Sequence, residues 1–162
     1  MSINVDAAVT VGELLKARGH TVGVAESSTG GLISASLLAV PGASAYFQGS
    51  VVIYTMRARR ELLGIDRATL ERQEPLTEAY VMLCAETIRS RLRADWGIAE
   101  LGATGPAGTP YGHPPGICVL AVSGPVGLSR RLETGHGDRE QNMALFTRAA
   151  FELFAEALAA SA

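Results

Sequence analysis

The segment Thr21–Val40, TVGVAESSTGGLISASLLAV, carries two periodicities that follow one another without a long loop. It begins with the apolar run Val22–Ala25, which is typical of a buried strand. It ends with apolar residues at spacings of three and four between Leu32 and Val40, and this spacing predicts a helix. The chain therefore passes from a strand into a helix through the short connection Glu26–Gly31. The rest of the fold is built around that unit.

The connection Glu26–Gly31 offers chemistry as well as a change of direction. Its serine and threonine hydroxyls lie beside the first backbone N–H groups of the helix, which have no intrahelical partners. Such a helix start suits an anion, a phosphate or a developing oxyanion, and it is equally the pattern of an ordinary capped helix. No lysine follows the glycines, so the connection is not a P-loop. The G-x-S-x-G pattern of the α/β-hydrolases is also absent from it.

Helices and strands alternate through the first half of the chain, and a hairpin precedes the last helix. The patterns predict helices at 6–18, 29–39, 57–63, 77–93 and 137–160, and strands at 21–25, 49–55, 96–103, 117–122 and 128–134. This order predicts an α/β fold, a three-layer α/β/α sandwich with a mixed β-sheet. We expect a single domain over residues 1–162.

A second candidate loop, Thr104–Gly116, follows the strand at 96–103 and is rich in glycine and proline. A loop of that length in a compact domain is usually functional or mobile. Ligands of open α/β sheets bind beyond the carboxyl ends of the strands, where we expect both this loop and Glu26–Gly31. Together the two loops contain the candidate substrate-binding residues Glu26, Ser28, Thr29, Gly30, Gly31, Thr104, Gly105 and His113.

Composition limits the classes of partner. The 162 residues carry a formal net charge of −2 without a long basic cluster, so we expect no nucleic-acid partner. No apolar run reaches membrane-spanning length and no signal-peptide pattern is seen, so we expect a cytoplasmic protein without a membrane partner. The two cysteines, Cys84 and Cys118, and the three histidines are scattered, so we expect neither a metal site nor a redox cofactor.

Five short motifs occur in order along the chain. They are AESSTGG at 25–31, VPGASAYF at 40–47, VIY at 52–54, LLGI at 62–65 and GDR at 137–139. Together they resemble the CinA C-terminal domain family, which includes the nicotinamide mononucleotide deamidases. The resemblance extends from about Val11 to Phe154. It implies a stand-alone version of a domain that full-length CinA proteins carry together with an N-terminal one.

The resemblance implies hydrolysis of the carboxamide of nicotinamide mononucleotide to nicotinate mononucleotide and ammonia, without a cofactor. In the family the serine that matches Ser27 is the nucleophile, and a tyrosine that matches Tyr54 and a lysine at position 59 assist it. The family association implies a homodimer or a higher homo-oligomer, to which the apolar segment Ala43–Phe47 could contribute. We expect Ser27 and Tyr54 to face each other near the start of the helix at 29–39, with Thr104–Gly108 on the opposite wall.

The chain departs from the family pattern at three places. Position 59 is Arg59, the family arginine that follows GDR falls on Met143, and the loop after the strand at 96–103 has a different spacing, with His113 in place of a lysine. An arginine remains protonated in proteins. Arg59 could therefore orient Tyr54 or bind a phosphate, but it could not accept the proton of Ser27.

Three hypotheses stay open at this point. An enzyme would need another base, which could be Tyr54 as phenolate, His113 or Glu26. A binding module of the same family would have kept the pocket and lost the base, and would sense a nucleotide or a partner protein. An unrelated phosphate-binding α/β domain would use the turn at 27–31 alone.

Overall fold

The computed structural model describes residues 3–162, and its strands form one five-stranded mixed sheet. The strands are β1 (Val22–Glu26), β2 (Phe47–Val52), β3 (Trp96–Ala103), β4 (Ile117–Ser123) and β5 (Leu128–Glu133), in the order β2-β1-β3-β4-β5. β1 runs parallel to both β2 and β3, whereas β4 is antiparallel to β3 and to β5. Met1 and Ser2, which the predicted domain range 1–162 includes, lie outside the described residues.

Helices cover both faces of this sheet. They are α1 (Val5–Arg18), α2 (Leu32–Leu38), α3 (Met56–Leu63), α4 (Arg67–Glu71), α5 (Glu78–Leu92) and α6 (Arg139–Ala160), with a 3₁₀ turn at Ala43–Ala45. Buried residues of α1, α2 and α6 form one apolar cluster with the sheet, and those of α3, α4 and α5 form another. The predicted three-layer α/β/α sandwich with a mixed sheet is confirmed.

Side chains along each strand alternate between the two faces of the sheet, and each face packs in one of the two apolar clusters. Val22 and Val24 pack on the side of α1, α2 and α6, and Ala25 packs on the side of α5. Side chains of successive strand residues point to opposite faces, so the apolar run of β1 is buried on both. This is why the strand reads as a continuous apolar segment in the sequence.

The carboxyl ends of β1, β2 and β3 meet at one edge of the sheet. Glu26, the last residue of β1, pairs with Val52 of β2 on one side and with Glu100 of β3 on the other. The three connections that leave these strands therefore lie side by side. This edge is where an open α/β sheet binds its ligands.

The second strand ends earlier than its sequence predicts. β2 stops at Val52, and Thr55 is already the N-cap of α3, because its hydroxyl accepts a hydrogen bond of 3.1 Å from the N–H of Ala58. A threonine at this position stops the strand by satisfying a helix donor. Tyr54 consequently lies in the connection between β2 and α3, not in the strand at 49–55.

The apolar segment Ala43–Phe47 is mostly part of the core. Ala43 and Tyr46 are buried, and the Tyr46 hydroxyl donates to the carbonyl of Leu37. These two residues are therefore apolar because the chain's own core covers them, and a contribution of the segment to a subunit interface stays a prediction. The homo-oligomer itself stays a prediction, which light scattering would measure.

No helix within residues 3–162 combines the length and the apolar character that crossing a membrane requires.

Candidate functional site

A cavity of about 610 Å³ opens where the connections after β1, β2 and β3 meet. The structure brings Ser27, Tyr54 and Arg59 together in its lining. The remaining wall is largely apolar and aromatic, and includes Tyr80 of α5 and Tyr111 of the loop after β3. A concave, mostly apolar pocket with a few polar groups is the usual form of a small-molecule site.

Ser27 reaches the cavity from a backbone that is held firmly. The residue is only 4% exposed, and its N–H donates to Glu100 Oε2 at 3.0 Å. Gly102 of β3 lies against the same turn, where an added Cβ would stand 2.5 Å from Ser28 Oγ and 2.7 Å from Glu100 Oε1. Only a glycine at 102 leaves β3 and the turn room for this approach.

The N-terminus of α2 is already occupied by the carboxylate of Glu26. This side chain accepts hydrogen bonds from the N–H groups of Gly31 at 2.7 Å, Ile33 at 3.2 Å and Ser34 at 3.0 Å. The expectation of unoccupied N–H groups for an anionic ligand is therefore wrong, because the last residue of β1 folds beneath the helix and supplies the anion itself. Glu26 is fully buried, and it is not part of the cavity lining.

Thr29, Gly30 and Gly31 likewise serve the turn itself. The Thr29 hydroxyl lies 2.8 Å from Glu26 Oε1 and 3.0 Å from Glu100 Oε2. Gly30 and Gly31 both have positive φ angles, which a glycine adopts without strain. None of the three lines the cavity.

Glu100 is a buried carboxylate that the sequence analysis did not single out. Besides Ser27, it accepts from the Ser28 hydroxyl and from the N–H of Thr29 at 3.1 Å. Burial raises the pKa of Glu100 above its ordinary value, and the hydrogen bonds from Ser28, Thr29 and Ser27 oppose that rise. A glutamate within the apolar strand 96–103 was the available signal, since a charged residue is seldom fully buried without partners.

Tyr54 stands at the exposed side of the cavity, with 56% of its surface accessible. Its hydroxyl lies 3.5 Å from Nη2 of Arg139, and Nη1 of Arg139 donates to the Gly105 carbonyl at 2.6 Å. Arg139 is the first residue of α6, which Asp138 caps by accepting from the Gln141 N–H. The GDR motif contained this arginine, but the sequence did not show what it contacts.

Arg59 forms part of the cavity wall through the groups beside it. Its Nε donates to the Ile53 carbonyl at 3.2 Å and its Nη1 to the Tyr80 hydroxyl at 2.8 Å. The guanidinium carbon is 5.1 Å from the centroid of the Tyr80 ring. Burial raises the pKa of Tyr80, and the neighbouring Arg59 partly offsets this effect. The arrangement fixes one positive charge in the wall.

The loop after β3 contributes residues other than those predicted. Thr104 is buried and its carbonyl accepts from Asn142, while Gly105 is held by Arg139; neither lines the cavity. His113 also lies outside the lining, with Nδ1 at 2.9 Å from the Thr109 hydroxyl. The loop residues that do line the cavity are Thr109, Pro110 and Tyr111.

Met143 lies over the turn that carries Ser27. A Cβ added at Gly30 would stand 3.3 Å from the terminal methyl of Met143. The resemblance places an arginine at this position in the family, so the departure puts an apolar group beside the turn. Across residues 3–162, no cluster of three or more His, Cys, Asp or Glu side chains could hold a metal ion.

The fold and the site define a three-layer α/β protein with a serine on the turn between its first strand and the following helix. The chain belongs to the CinA C-terminal domain family, whose model matches residues 4–158. The hypothesis of an unrelated phosphate-binding domain is therefore rejected.

Sequence relatives are longer proteins. A CinA-like protein of Synechococcus sp. (strain CC9902) is 44% identical over 117 residues, which are 72% of this chain and 28% of that protein. A putative competence-damage inducible protein of Halothermothrix orenii is 35% identical over 142 residues, 87% of this chain and 34% of its own. The chain thus spans about a third or less of these relatives' length.

Solved structures match over nearly the full length. A CinA superfamily protein from Klebsiella pneumoniae superposes with a TM-score of 0.90 at 30% identity, covering 98% of this chain and 99% of that one. The competence/damage inducible protein CihA from Agrobacterium tumefaciens gives a TM-score of 0.88 at 28% identity, with the same coverage of 98% and 99%.

Proposed function

We propose that the cavity is the active site of a serine-dependent amidohydrolase that acts on the carboxamide of nicotinamide mononucleotide. The observation that supports this proposal is the presence of Ser27, Tyr54 and Arg59 in the lining of one cavity. A volume of about 610 Å³ suits a mononucleotide, because small-molecule sites are typically about 300–1,000 Å³.

The groups around the cavity match the parts of this substrate. The aromatic faces of Tyr54 and Tyr111 can contact a cationic pyridinium ring, which the negative face of an aromatic ring attracts. The guanidinium of Arg59 supplies a permanent positive charge to the cavity wall, which attracts an anionic nucleotide.

The reaction follows from these positions. The Ser27 hydroxyl adds to the carboxamide carbon and gives its proton to a base. The C–N bond then breaks, and the amine takes up that proton and leaves as ammonia. Water hydrolyses the acyl-serine ester, which yields nicotinate mononucleotide and regenerates Ser27.

Tyr54 is the base that the geometry favours. Glu26 is buried under α2 and His113 is turned towards Thr109, so neither of these candidates lines the cavity. Arg59 stays protonated and cannot accept the proton. Tyr54 lines the cavity together with Ser27, and its hydroxyl lies 3.5 Å from Nη2 of Arg139, so it is the candidate that remains.

One observation favours a second candidate, a nucleotide-binding module without turnover. Among residues 3–162, no carboxylate, imidazole or amine forms a hydrogen bond with the Ser27 hydroxyl. Arg59, which stands where the family has its lysine, is engaged with Ile53 and Tyr80. A pocket with this wall could bind the nucleotide and leave it intact.

Ammonia release from nicotinamide mononucleotide, measured beside binding by calorimetry, separates the two candidates. The proposal expects release by the wild-type protein and none by Ser27→Ala. Ser129→Ala, which changes an exposed serine on β5, should retain the wild-type rate. Binding without release would favour the binding module, and a protein that neither binds nor hydrolyses this nucleotide would refute both.

A further inference from the structure

Two fully buried carboxylates stand next to each other beneath the turn that carries Ser27. Glu26 of β1 and Glu100 of β3 are register partners in the sheet, and neither is exposed to solvent. Both accept hydrogen bonds from backbone N–H groups of the following turn and helix. Burying two adjacent carboxylates is costly unless each is satisfied by donors.

The two carboxylates divide these donors. Glu26 takes the N–H groups of α2, as described above, and holds the helix. Glu100 takes the first part of the turn: Oε2 accepts the N–H of Ser27 at 3.0 Å and the N–H of Thr29 at 3.1 Å, and Oε1 accepts from the Ser28 hydroxyl. Glu100 therefore binds the backbone N–H groups of the residues before and after Ser28, which are Ser27 and Thr29.

We propose that Glu100 is the positioning residue for Ser27, and that its carboxylate fixes the direction in which the Ser27 hydroxyl enters the cavity. The consequence for catalysis rests on the amidohydrolase function proposed above, whereas the positioning itself does not. Glu100 is fully buried and does not line the cavity, so it acts through the Ser27 backbone and does not touch the substrate.

The surroundings leave Glu100 little room to move. Gly102, two residues further along β3, lies against both its Oε1 and the Ser28 hydroxyl. The titratable groups that face it are Glu26 on β1 and the Cys118 thiol on β4, whose pKa is raised by burial and by Glu100. Phe146 of α6 closes the same space with an uncharged ring. A side chain held this tightly transmits its position directly to the turn.

A neutral form of this side chain can keep the same geometry. If Oε1 carries a proton, it can donate to Ser28 Oγ while Oε2 continues to accept from Ser27 and Thr29. A glutamine reproduces that pattern, because its oxygen accepts and its NH₂ donates. Glu100→Gln is therefore the conservative variant, and Glu100→Ala removes the acceptor altogether.

The test combines amide resonances with steady-state kinetics. In Glu100→Ala the amide proton resonances of Ser27 and Thr29 should move upfield, as lost hydrogen bonds require. The kcat for ammonia release should fall about 10²-fold with little change in KM, because a nucleophile displaced by about 1 Å loses that much rate. Glu100→Gln should recover most of the kcat and the resonance positions. A role in stability alone would not produce this difference between kcat and KM.

Glu26→Gln is the matched control, since it alters the other buried carboxylate. It should move the Gly31 and Ser34 resonances and leave that of Ser27 in place. An unmoved Ser27 resonance in Glu100→Ala would overturn the proposal, as would an unchanged kcat in an active protein.

Two further outcomes remain decisive. If the wild-type protein releases no ammonia, the proposed function fails, and the Ser27 and Thr29 resonances still decide the role of Glu100. If Glu100→Ala does not fold, Glu100→Asp takes its place, because a carboxylate one methylene shorter withdraws from the turn. The Ser27 resonance should then move, and one that stays in place would refute the proposal.

Discussion

Nη2 of Arg139 lies 3.5 Å from the hydroxyl of Tyr54, although 85 positions separate the two residues in the sequence. Nη1 of the same guanidinium donates a hydrogen bond to the carbonyl of Gly105. Arg139 thus connects the segment after β2 with the loop after β3, and it does so beside the cavity. The arginine of the GDR motif therefore stabilises the arrangement of two cavity walls.

Replacing this arginine should impair turnover. Arg139→Ala removes both contacts, so Tyr54 and the loop lose their common anchor, and kcat for ammonia release should fall about 10²-fold. Arg148→Ala is the control, because Arg148 lies on the same helix, is exposed and forms an i,i+4 pair with Glu152. Equal rates for the two variants would show that Arg139 plays no part in the site.

Gly102 should not tolerate a methyl group. A Cβ at this position would approach Ser28 Oγ, Glu100 Oε1 and the Phe146 ring to 2.5, 2.7 and 2.9 Å. Gly102→Ala should therefore lower the free energy of unfolding by about 1–3 kcal/mol, as overpacking of a core does. Urea unfolding measures it. Gly127→Ala is the control, since its nearest neighbour would be 3.8 Å away, and a loss of equal size there would contradict the explanation.

The buried Glu100 should make stability depend on pH. Burial raises its pKa in the folded protein, so above the unfolded pKa the native state binds more protons than the unfolded state. The stability that the neutral acid contributes is therefore present at low pH and is lost as pH rises through the folded pKa. The glutamine in Glu100→Gln does not titrate. The free energy of unfolding of this variant, relative to that of the wild type, should therefore increase as pH rises.

Urea unfolding of both proteins between about pH 4 and 8 measures this difference, a range that begins near the ordinary glutamate pKa. Glu74→Gln serves as the control, because it neutralises an exposed glutamate and should show no comparable trend. A Glu100→Gln advantage that shrinks with rising pH would contradict the assignment.

The layers of this fold could be predicted because they depend on local patterns. The apolar run of β1, the spacing in α5 and the hairpin of β4 and β5 each appear in a few consecutive residues. The predicted end of β2 is wrong, because the cap at Thr55 determines it and not the β-branched residues before it. The same short segment can extend a strand or cap a helix, and the hydrogen bond from the Ala58 N–H to the Thr55 hydroxyl places Thr55 at the start of α3.

The site was only partly predictable because its key contacts join distant residues. The link from Ser27 to Glu100 spans 73 positions, and no periodicity encodes it. The sequence indicated that the turn after β1 suits an anion, which is physically sound, but it could not show that Glu26 fills that place. Which loop residues line the cavity also depends on how Arg139 and Asn142 hold the start of that loop.

The substitution Arg59→Lys should distinguish a weakened enzyme from a binding module. Arg59 lines the cavity with a charge that it cannot lose, whereas a lysine there can become neutral and accept the Ser27 proton. The rate of ammonia release should rise in Arg59→Lys, since the amine would act as a general base beside Tyr54, and a well-placed base contributes roughly 10²–10⁴-fold. The gain should be larger at alkaline pH, where more of the amine is neutral.

The structure also sets a limit on that gain. Arg59 makes two hydrogen bonds, to the Ile53 carbonyl and the Tyr80 hydroxyl, and a lysine has no planar fork with which to keep both. Tyr80→Phe should therefore change the rate of ammonia release less in the Arg59→Lys protein than in the wild type. The lysine variant has less of the contact with the Tyr80 hydroxyl to lose. Arg60→Lys, on the exposed face of α3, is the control, because it replaces a guanidinium by an ammonium group outside the cavity. Wild-type turnover that is high and falls in Arg59→Lys would show that this chain uses another base, with Arg59 holding the wall. Binding without turnover in both proteins would favour the module that recognises the nucleotide and leaves it intact.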